Sequence, residues 1–215
     1  MDPAMIITFG VAVYLGWSWA LTLKKKKCAS LYYRPQTGFV TITIDDVPSE
    51  SLDEILKLLA RFGARALFFV NGSRCRPDGA GVKEILAAGH TVGNHSFSHY
   101  FFYPVSNRVI VNDLERNEDL LASFGVASPP VRTPHGYHTC SLVRDLHKKG
   151  TPFCPWDFML LDFLPLPQWV LRRSLVRFIR KGGGVLCMHA RKRSVKVLAF
   201  LLDMLYPEMK EDDQQ

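Results

Sequence analysis

The segment Phe39-Val40-Thr41-Ile42-Thr43-Ile44-Asp45-Asp46 is a run of apolar and β-branched residues that stops at two adjacent carboxylates. Such a run reads as a strand buried on both faces of a parallel sheet. Chain polarity then places both acids at the C-terminal edge of that sheet, where α/β folds gather their ligands. Ala66 to Val70 and Gly184 to Met188 are further runs of this kind, and helix-like stretches lie around them at Leu52 to Phe62, Val82 to Ala88, Val109 to Phe124, Leu142 to Lys149 and Leu171 to Lys181. This βαβ rhythm predicts an α/β fold on a parallel sheet. A chain of 215 residues that is 47% hydrophobic, with no internal repeat and no long Gly, Ser or Pro tract, can bury one core in one domain.

The acid pair admits two readings. Asp45-Asp46-Val47-Pro48-Ser49 can be a turn and a helix cap, since Asp and Ser satisfy free N–H groups there. Two neighbouring carboxylates repel, however, and a buried pair stays ionised only beside a cation or hydrogen-bond donors. A metal ion meets that need for one of them. His95-Ser96-Phe97-Ser98-His99 offers two imidazoles four positions apart, and neutral imidazole is a common zinc ligand. In a chain with seven histidines a pair of this kind can equally be a solvated turn, and His90 reads as structural. Adding Asp46 makes two nitrogens and one carboxylate oxygen, the ligand set of a catalytic zinc site that keeps positions open for water. With Asp45, Arg132 and His189, also at the ends of apolar runs, the chain holds metal ligands, a general base, a residue to orient it and a general acid. That set is sufficient for metal-assisted hydrolysis.

These segments resemble the NodB-homology polysaccharide deacetylases, carbohydrate esterase family 4. Thr43-Ile44-Asp45-Asp46-Val47 is similar to the family's Thr-Phe-Asp-Asp-Gly, and His95-Ser96-Phe97-Ser98-His99 matches its His-Ser/Thr-x-x-His. Arg132-Thr133-Pro134-His135-Gly136 resembles Arg-x-Pro-Tyr-Gly, and Cys187-Met188-His189 resembles the Leu-x-His that ends the last barrel strand. Ile55 to Leu59 and Gly63 to Gly72 resemble the helix and second strand between the first two motifs. The resemblance runs from about Thr37 to Tyr206, giving a catalytic domain over 36–206, a preceding hydrophobic segment with a Lys cluster over 1–27 and an acidic tail over 207–215.

The resemblance implies a distorted, often incomplete (β/α) barrel. It implies hydrolysis of N-acetyl groups on N-acetylglucosamine-containing, chitin-like glycans. Asp46, His95 and His99 would bind the metal, zinc with cobalt or nickel able to serve. Asp45 would be the base for metal-bound water, Arg132 would pair with it, and the backbone N–H of His135 would help stabilise the oxyanion. His189 would protonate the leaving amine, held by an upstream Asp; Asp157 and Asp162 both stand in Trp156 to Asp162. Asp162 is preferred, because an extended apolar run leads into it and Pro165-Leu166-Pro167 forces a loop straight after.

Four departures fall near these motifs. Val47 stands where the family has Gly, so a positive φ there would be strained. Ala190 replaces an Asp that often follows the last His, and His135 replaces an aromatic residue. Cys187 replaces a Leu that helps form the pocket for the acetyl methyl. None removes a catalytic group, so activity is expected, with the substrate pocket altered; a glycan-binding protein without turnover is the alternative.

The formal net charge is +7, of which Lys24 to Lys27 and Asp2 account for three, leaving a scattered excess of four that forms no nucleic-acid patch. From Ile6 to Leu23 the chain is uncharged and apolar, long enough to span a bilayer core. No basic stretch precedes this run, and Lys24 to Lys27 directly after it suits a cleavage site poorly, so a single-pass anchor is expected. The Lys cluster favours a cytoplasmic catalytic domain, whereas the resemblance implies work on extracellular or cell-wall glycans. Five cysteines without a Cys-x-x-Cys spacing point mildly to a reduced interior. Asn71-Gly72-Ser73 matches a glycosylation acceptor, a short motif that is frequent by chance.

Overall fold

Strand β1 (Val40–Val47) lies at the centre of a five-stranded parallel sheet, between β2 (Ala66–Val70) and β5 (Gly184–His189). β3 (Thr91–Asn94) pairs outside β2, and β4 (Phe158–Met159) outside β5. Beyond β3 the parallel pairing continues as single-residue bridges from Asn94 to Val131, Val131 to Phe153 and Phe153 to Tyr32. The computed structural model describes residues 28–35, 39–100 and 105–210. The hydrophobic segment 1–27 and residues 211–215 of the acidic tail lie outside the described residues. Among the described residues no helix is long and apolar enough to cross a membrane.

Every residue of β1 is buried, and the pleat sends alternate side chains to opposite faces. Ile42 and Ile44 join the main core with Leu59, Phe68, Leu186 and Leu198. On the other face Leu67, Phe69, Cys154 and Val185 form a smaller cluster beside Trp156. The helices α1 (Leu52–Arg61), α2 (Ala80–Ala87), α3 (Asn107–Ser123), α4 (Cys140–Lys148) and α5 (Gln168–Arg180) fall close to the helix-like stretches of the sequence. β3, β4 and a sixth helix, α6 (Lys192–Leu205), are additions to the elements expected.

The register of β1 on β5 sets Asp45 opposite His189. On the other side the β1–β2 register shifts between Ile44 and Val47, a bulge of the kind that re-aims a side chain at a sheet edge. The strain anticipated at Val47 does not arise: Val47 stays in β1 opposite Val70, and the positive φ, 67°, falls on Asp46 instead. Asn71 is buried and its side chain accepts from the N–H and hydroxyl of Ser73, so within the fold it serves a turn and is closed to a glycan.

After β3 the His-containing loop is held by α3. The buried Asn94 accepts from Ser96 N–H at 2.9 Å and from Asn117 Nδ2 at 2.8 Å, and Asn117 Nδ2 also reaches the Val70 carbonyl at 2.9 Å. Asp113 accepts from the N–H groups of Phe97 and Ser98 and from the Ser98 hydroxyl. Since Asn117 sits on the apolar stripe Ile110, Leu114, Leu121 of α3, its polar head has no other outlet. Asn117→Ala should therefore leave buried acceptors unpaired and lower stability by about 1–3 kcal/mol in chemical denaturation.

Candidate active site

Arg132 is fully buried and supplies a cation to the acid pair. Its Nη1 donates to Asp45 Oδ1 at 2.7 Å and to Thr43 Oγ1 at 2.6 Å, and its Nε donates to the Cys154 carbonyl at 3.0 Å. The guanidinium lies 4.0 Å from the centre of the Phe69 ring, a cation–π contact without competing water. Burial raises the cost of ionising Asp45, but Arg132 and then His95 outweigh it, so its carboxyl stays below the usual range. The second Asp45 oxygen accepts from the Cys187 thiol at 3.2 Å. Burial, with Asp45 next, pushes that thiol well above its ordinary pKa and keeps it a donor. The resemblance implied a wall position for Cys187; the structure places it beneath Asp45 and fully buried, one pleat below the rim of β5.

Asp46, His95 and His99 each offer an atom within 4.8 Å of the others. His95 Nδ1 lies 2.8 Å from the Arg132 carbonyl. A carbonyl only accepts, so Nδ1 holds the proton and Nε2 turns its lone pair toward Asp46 Oδ1 at 3.9 Å and Asp45 Oδ2 at 3.8 Å. His99 Nε2 lies 3.0 Å from Asp46 Oδ1. A hydrogen bond between them needs a proton on that nitrogen; with His99 Nε2 bare, Asp46 Oδ1 is a buried oxygen without a donor. A cation between the three satisfies all of them, so the residues fit a divalent metal site of two nitrogens and one carboxylate. Burial opposes ionisation of Asp46, and the outweighing effect of His99 and His95 holds its carboxyl low even without an ion.

Backbone strain gathers at the same place. Asp46, Ser96, His99 and His135 are four of the five non-glycine residues with positive φ among the described residues. Such conformations cost of order 1–3 kcal/mol each and persist where surrounding structure fixes them, often at functional sites.

Opposite the ligands, Asp162 is fully buried and accepts three hydrogen bonds, from His189 Nδ1 at 2.7 Å, His189 N–H at 2.8 Å and Ser194 Oγ at 2.7 Å. Burial disfavours the charged His189 ring, but Asp162 more than compensates and raises its pKa. Asp157 is drawn elsewhere: it pairs with Arg34 at 2.5 Å and accepts from Val185 N–H at 2.9 Å. His135 turns its ring edge-on to His99, with centroids 4.9 Å apart. Burial, then His99 and His95, push its pKa down to about 4 and keep it neutral. Asp45, Asp46, His99, His135, Trp156 and His189 line a common cavity of about 310 Å³. His90, read as structural, accepts from Ala66 N–H at 3.4 Å away from this cluster.

Sequence reasoning missed Arg74, Trp156, Met159, Phe163 and Arg191, which line the cavity, and Cys154, Thr43, Asn94, Asp113, Asn117 and Ser194, which hold the site residues from behind. Asn117 was accessible as a polar residue on a buried helical stripe; the contacts of the others depend on register.

Residues 33–153 match the polysaccharide deacetylase family. The chain is 27% identical over 182 residues to the peptidoglycan-N-acetylglucosamine deacetylase of Bacillus cereus, covering 80% of this chain and 82% of that protein. It spans less than half the length of several other curated relatives that it matches. The fold is similar to a family 4 carbohydrate esterase from Streptomyces lividans, solved with acetate, with a TM-score of 0.70 at 23% identity over 80% of this chain and 90% of that one. It is also similar to a pseudoenzyme of the same family from Bacillus anthracis, with a TM-score of 0.66 at 25% identity over 84% of this chain and 64% of that one.

The Arg132–Asp45 pair predicts a large asymmetric cost. Arg132→Met leaves an unpaired carboxylate in the interior and should destabilise by about 3–5 kcal/mol in denaturant unfolding. Simultaneous Asp45→Asn should recover part of that loss.

Proposed function

The chain belongs to the polysaccharide deacetylase family, and from that premise we propose that it is a metal-dependent N-deacetylase acting on N-acetylglucosamine units of a peptidoglycan-like glycan. The observation that carries this reading is the facing of Asp45 and His189 across β1 and β5 beside the Asp46, His95 and His99 cluster. A divalent cation, zinc by the nature of the donors, would be held by those three residues and would supply a Lewis acid for the amide carbonyl and for water.

The chain's own groups account for the remaining chemistry. Asp45, kept ionised by Arg132, takes a proton from the attacking water. The backbone N–H of His135 is assigned to the oxyanion of the tetrahedral intermediate. His189, kept charged by Asp162, gives its proton to the amine nitrogen as the C–N bond breaks. Arg132 and Asp162 set the pKa values of base and acid apart, as a reaction needing both at one pH requires. Peptidoglycan is the named substrate of the Bacillus cereus relative, which favours it over chitin. The pseudoenzyme neighbour and the departures at Cys187 and Ala190 favour a glycan-binding protein without turnover. Against this, a binding protein would have no use for a His189 charged by Asp162 and facing Asp45 across β1 and β5. Residues 1–27 are assigned as a membrane anchor on their hydrophobicity alone.

Acetate release from acetylated oligosaccharides tests the reading, and it should vanish with chelator and return with zinc. Asp46→Ala, His95→Ala or His99→Ala should each lose bound metal by elemental analysis together with activity. Asp45→Asn should keep the metal while the rate falls by roughly 10²- to 10⁴-fold. Loss of metal in that variant would make Asp45 a ligand instead.

The raised pKa of His189 has a kinetic sign. The acid acts only when protonated, so activity falls as pH rises through its pKa and the alkaline limb of the pH–rate profile reports it. Asp162→Asn removes the group that raises this pKa and should move the limb to lower pH. Asp157→Asn should leave the limb in place.

A further inference from the structure

The catalytic cavity does not end at Asp46. A wider cavity of about 540 Å³ adjoins it, the two sharing Asp46, Arg74 and Arg191 in their walls. The wall of this second cavity carries four cations, Arg74, Arg191, Lys192 and Arg193, against two carboxylates, Asp46 and Glu50. Arg74 donates to the Asp46 carbonyl at 2.9 Å, and Arg193 donates to the carbonyls of Leu164 and Leu166, so backbone fixes both without neutralising their charge. Lys192 faces Glu50 at 3.7 Å with both side chains 75% exposed, a pair of little strength. The Arg191 side chain has no hydrogen-bond or ion-pair partner among the described residues.

Two features make this concentration of charge unusual. Arg191, Lys192 and Arg193 stand at the cap and first two positions of α6, with no acid in the first turn. That end of a helix favours anions, so three cations there work against the local field. The acid that the resemblance would place between His189 and Arg191 is missing, its position held by Ala190. A local rule broken without internal compensation points to compensation from outside the chain.

We propose that the second cavity is a subsite for an anionic substituent, a carboxylate or phosphate, on the sugar next to the ring whose acetamide enters the catalytic cavity. The preferred substrate is then an acidic acetylated glycan, not a neutral one, and Arg191 is the residue that reads the charge. A planar guanidinium without a partner donates two parallel hydrogen bonds to the oxygens of such a group. The ligand's negative charge also relieves the repulsion among the cations of α6. This inference rests on the deacetylase reading.

The test uses the full chain loaded with zinc and four substrates of equal length. They are a neutral N-acetylglucosamine oligomer, an oligomer with a lactyl carboxylate on alternate rings, the methyl ester of that oligomer, and one with a phosphate monoester in place of the carboxylate. Wild type should favour the charged oligomers over the ester by about tenfold or more in kcat/KM, mostly through KM, and added salt should erode the preference. The larger of the two preferences tells carboxylate from phosphate. Arg191→Gln with Lys192→Gln should bring the ratio of charged oligomer to ester in kcat/KM down to about one; the ratio is the readout because Arg191 also borders the catalytic cavity. Equal turnover of acid and ester by wild type, or an equal loss on both in the double variant, overturns the proposal. If no substrate releases acetate the deacetylase reading fails, and calorimetric titration of acid and ester then decides the subsite. Tighter binding of the acid that the double variant abolishes sustains it, and equal binding overturns it.

Discussion

The buried pair of Arg132 and Asp45 is the constraint to which the rest of the site answers. Two charges removed from water are costly unless each is fully paired, and the return depends on geometry rather than on attraction alone. Here Thr43 from β1, Cys154 after the Phe153 bridge, Cys187 from β5 and the face of Phe69 from β2 each satisfy part of the pair. One ion pair thus ties together segments distant in sequence. Its cost is offset only when β1, β2 and β5 are in register. Interiors of folds with a purely apolar centre can be repacked with modest loss; this one cannot shift without stranding a carboxylate.

That constraint also explains why strain collects at the rim. Asp45 must point inward to meet Arg132, while Asp46, its neighbour, must reach His95 and His99. A regular strand would send them to opposite faces. The register shift and the left-handed conformation of Asp46 turn the second carboxylate back to the same cavity. Ser96 and His99 adopt the same unusual conformation, and Asn94, Asp113 and Asn117 hold their loop from behind. Support of this kind positions ligand atoms before any ligand arrives.

Much of this was legible in the chain, and the limits have physical causes. β1, β2 and β5 announce themselves because strands buried on both faces need continuous apolar runs. β3 does not, since Gly93 dilutes its four residues; a side chain there would meet the Phe69 ring at 2.6 Å. β4 is two residues long, below the reach of any pattern. α6 opens on Arg191-Lys192-Arg193 without a capping side chain, so no start signal marks it. Asp45, Asp46, His95, His99 and His189 were visible by type and position, whereas Arg74, Trp156 and Arg191 reach the cavity wall through the fold alone, and the Cys187–Asp45 contact depends on the pairing of β1 with β5 and on no local pattern. That an upstream Asp partners His189 comes from the family resemblance, and the extended approach and following Pro-rich loop favour Asp162 over Asp157; neither reveals Ser194, which is brought in by α6.

Ser194 shows how the acid side differs from the base side. Asp45 is held by a cation from a loop, but Asp162 is held by the backbone of β5 and by a hydroxyl in the first turn of α6. α6 therefore serves the site twice over a single turn: Ser194 faces inward to fix the carboxylate that charges His189, and Arg191 and Lys192 face the adjoining cavity. A helix start dedicated only to stability would carry an acid or a capping Ser at its first position. Here the hydroxyl lies three residues beyond the cap, tied to Asp162, and cations occupy the start. The sequence of α6 is thus shaped by the two cavities it borders more than by the needs of the helix.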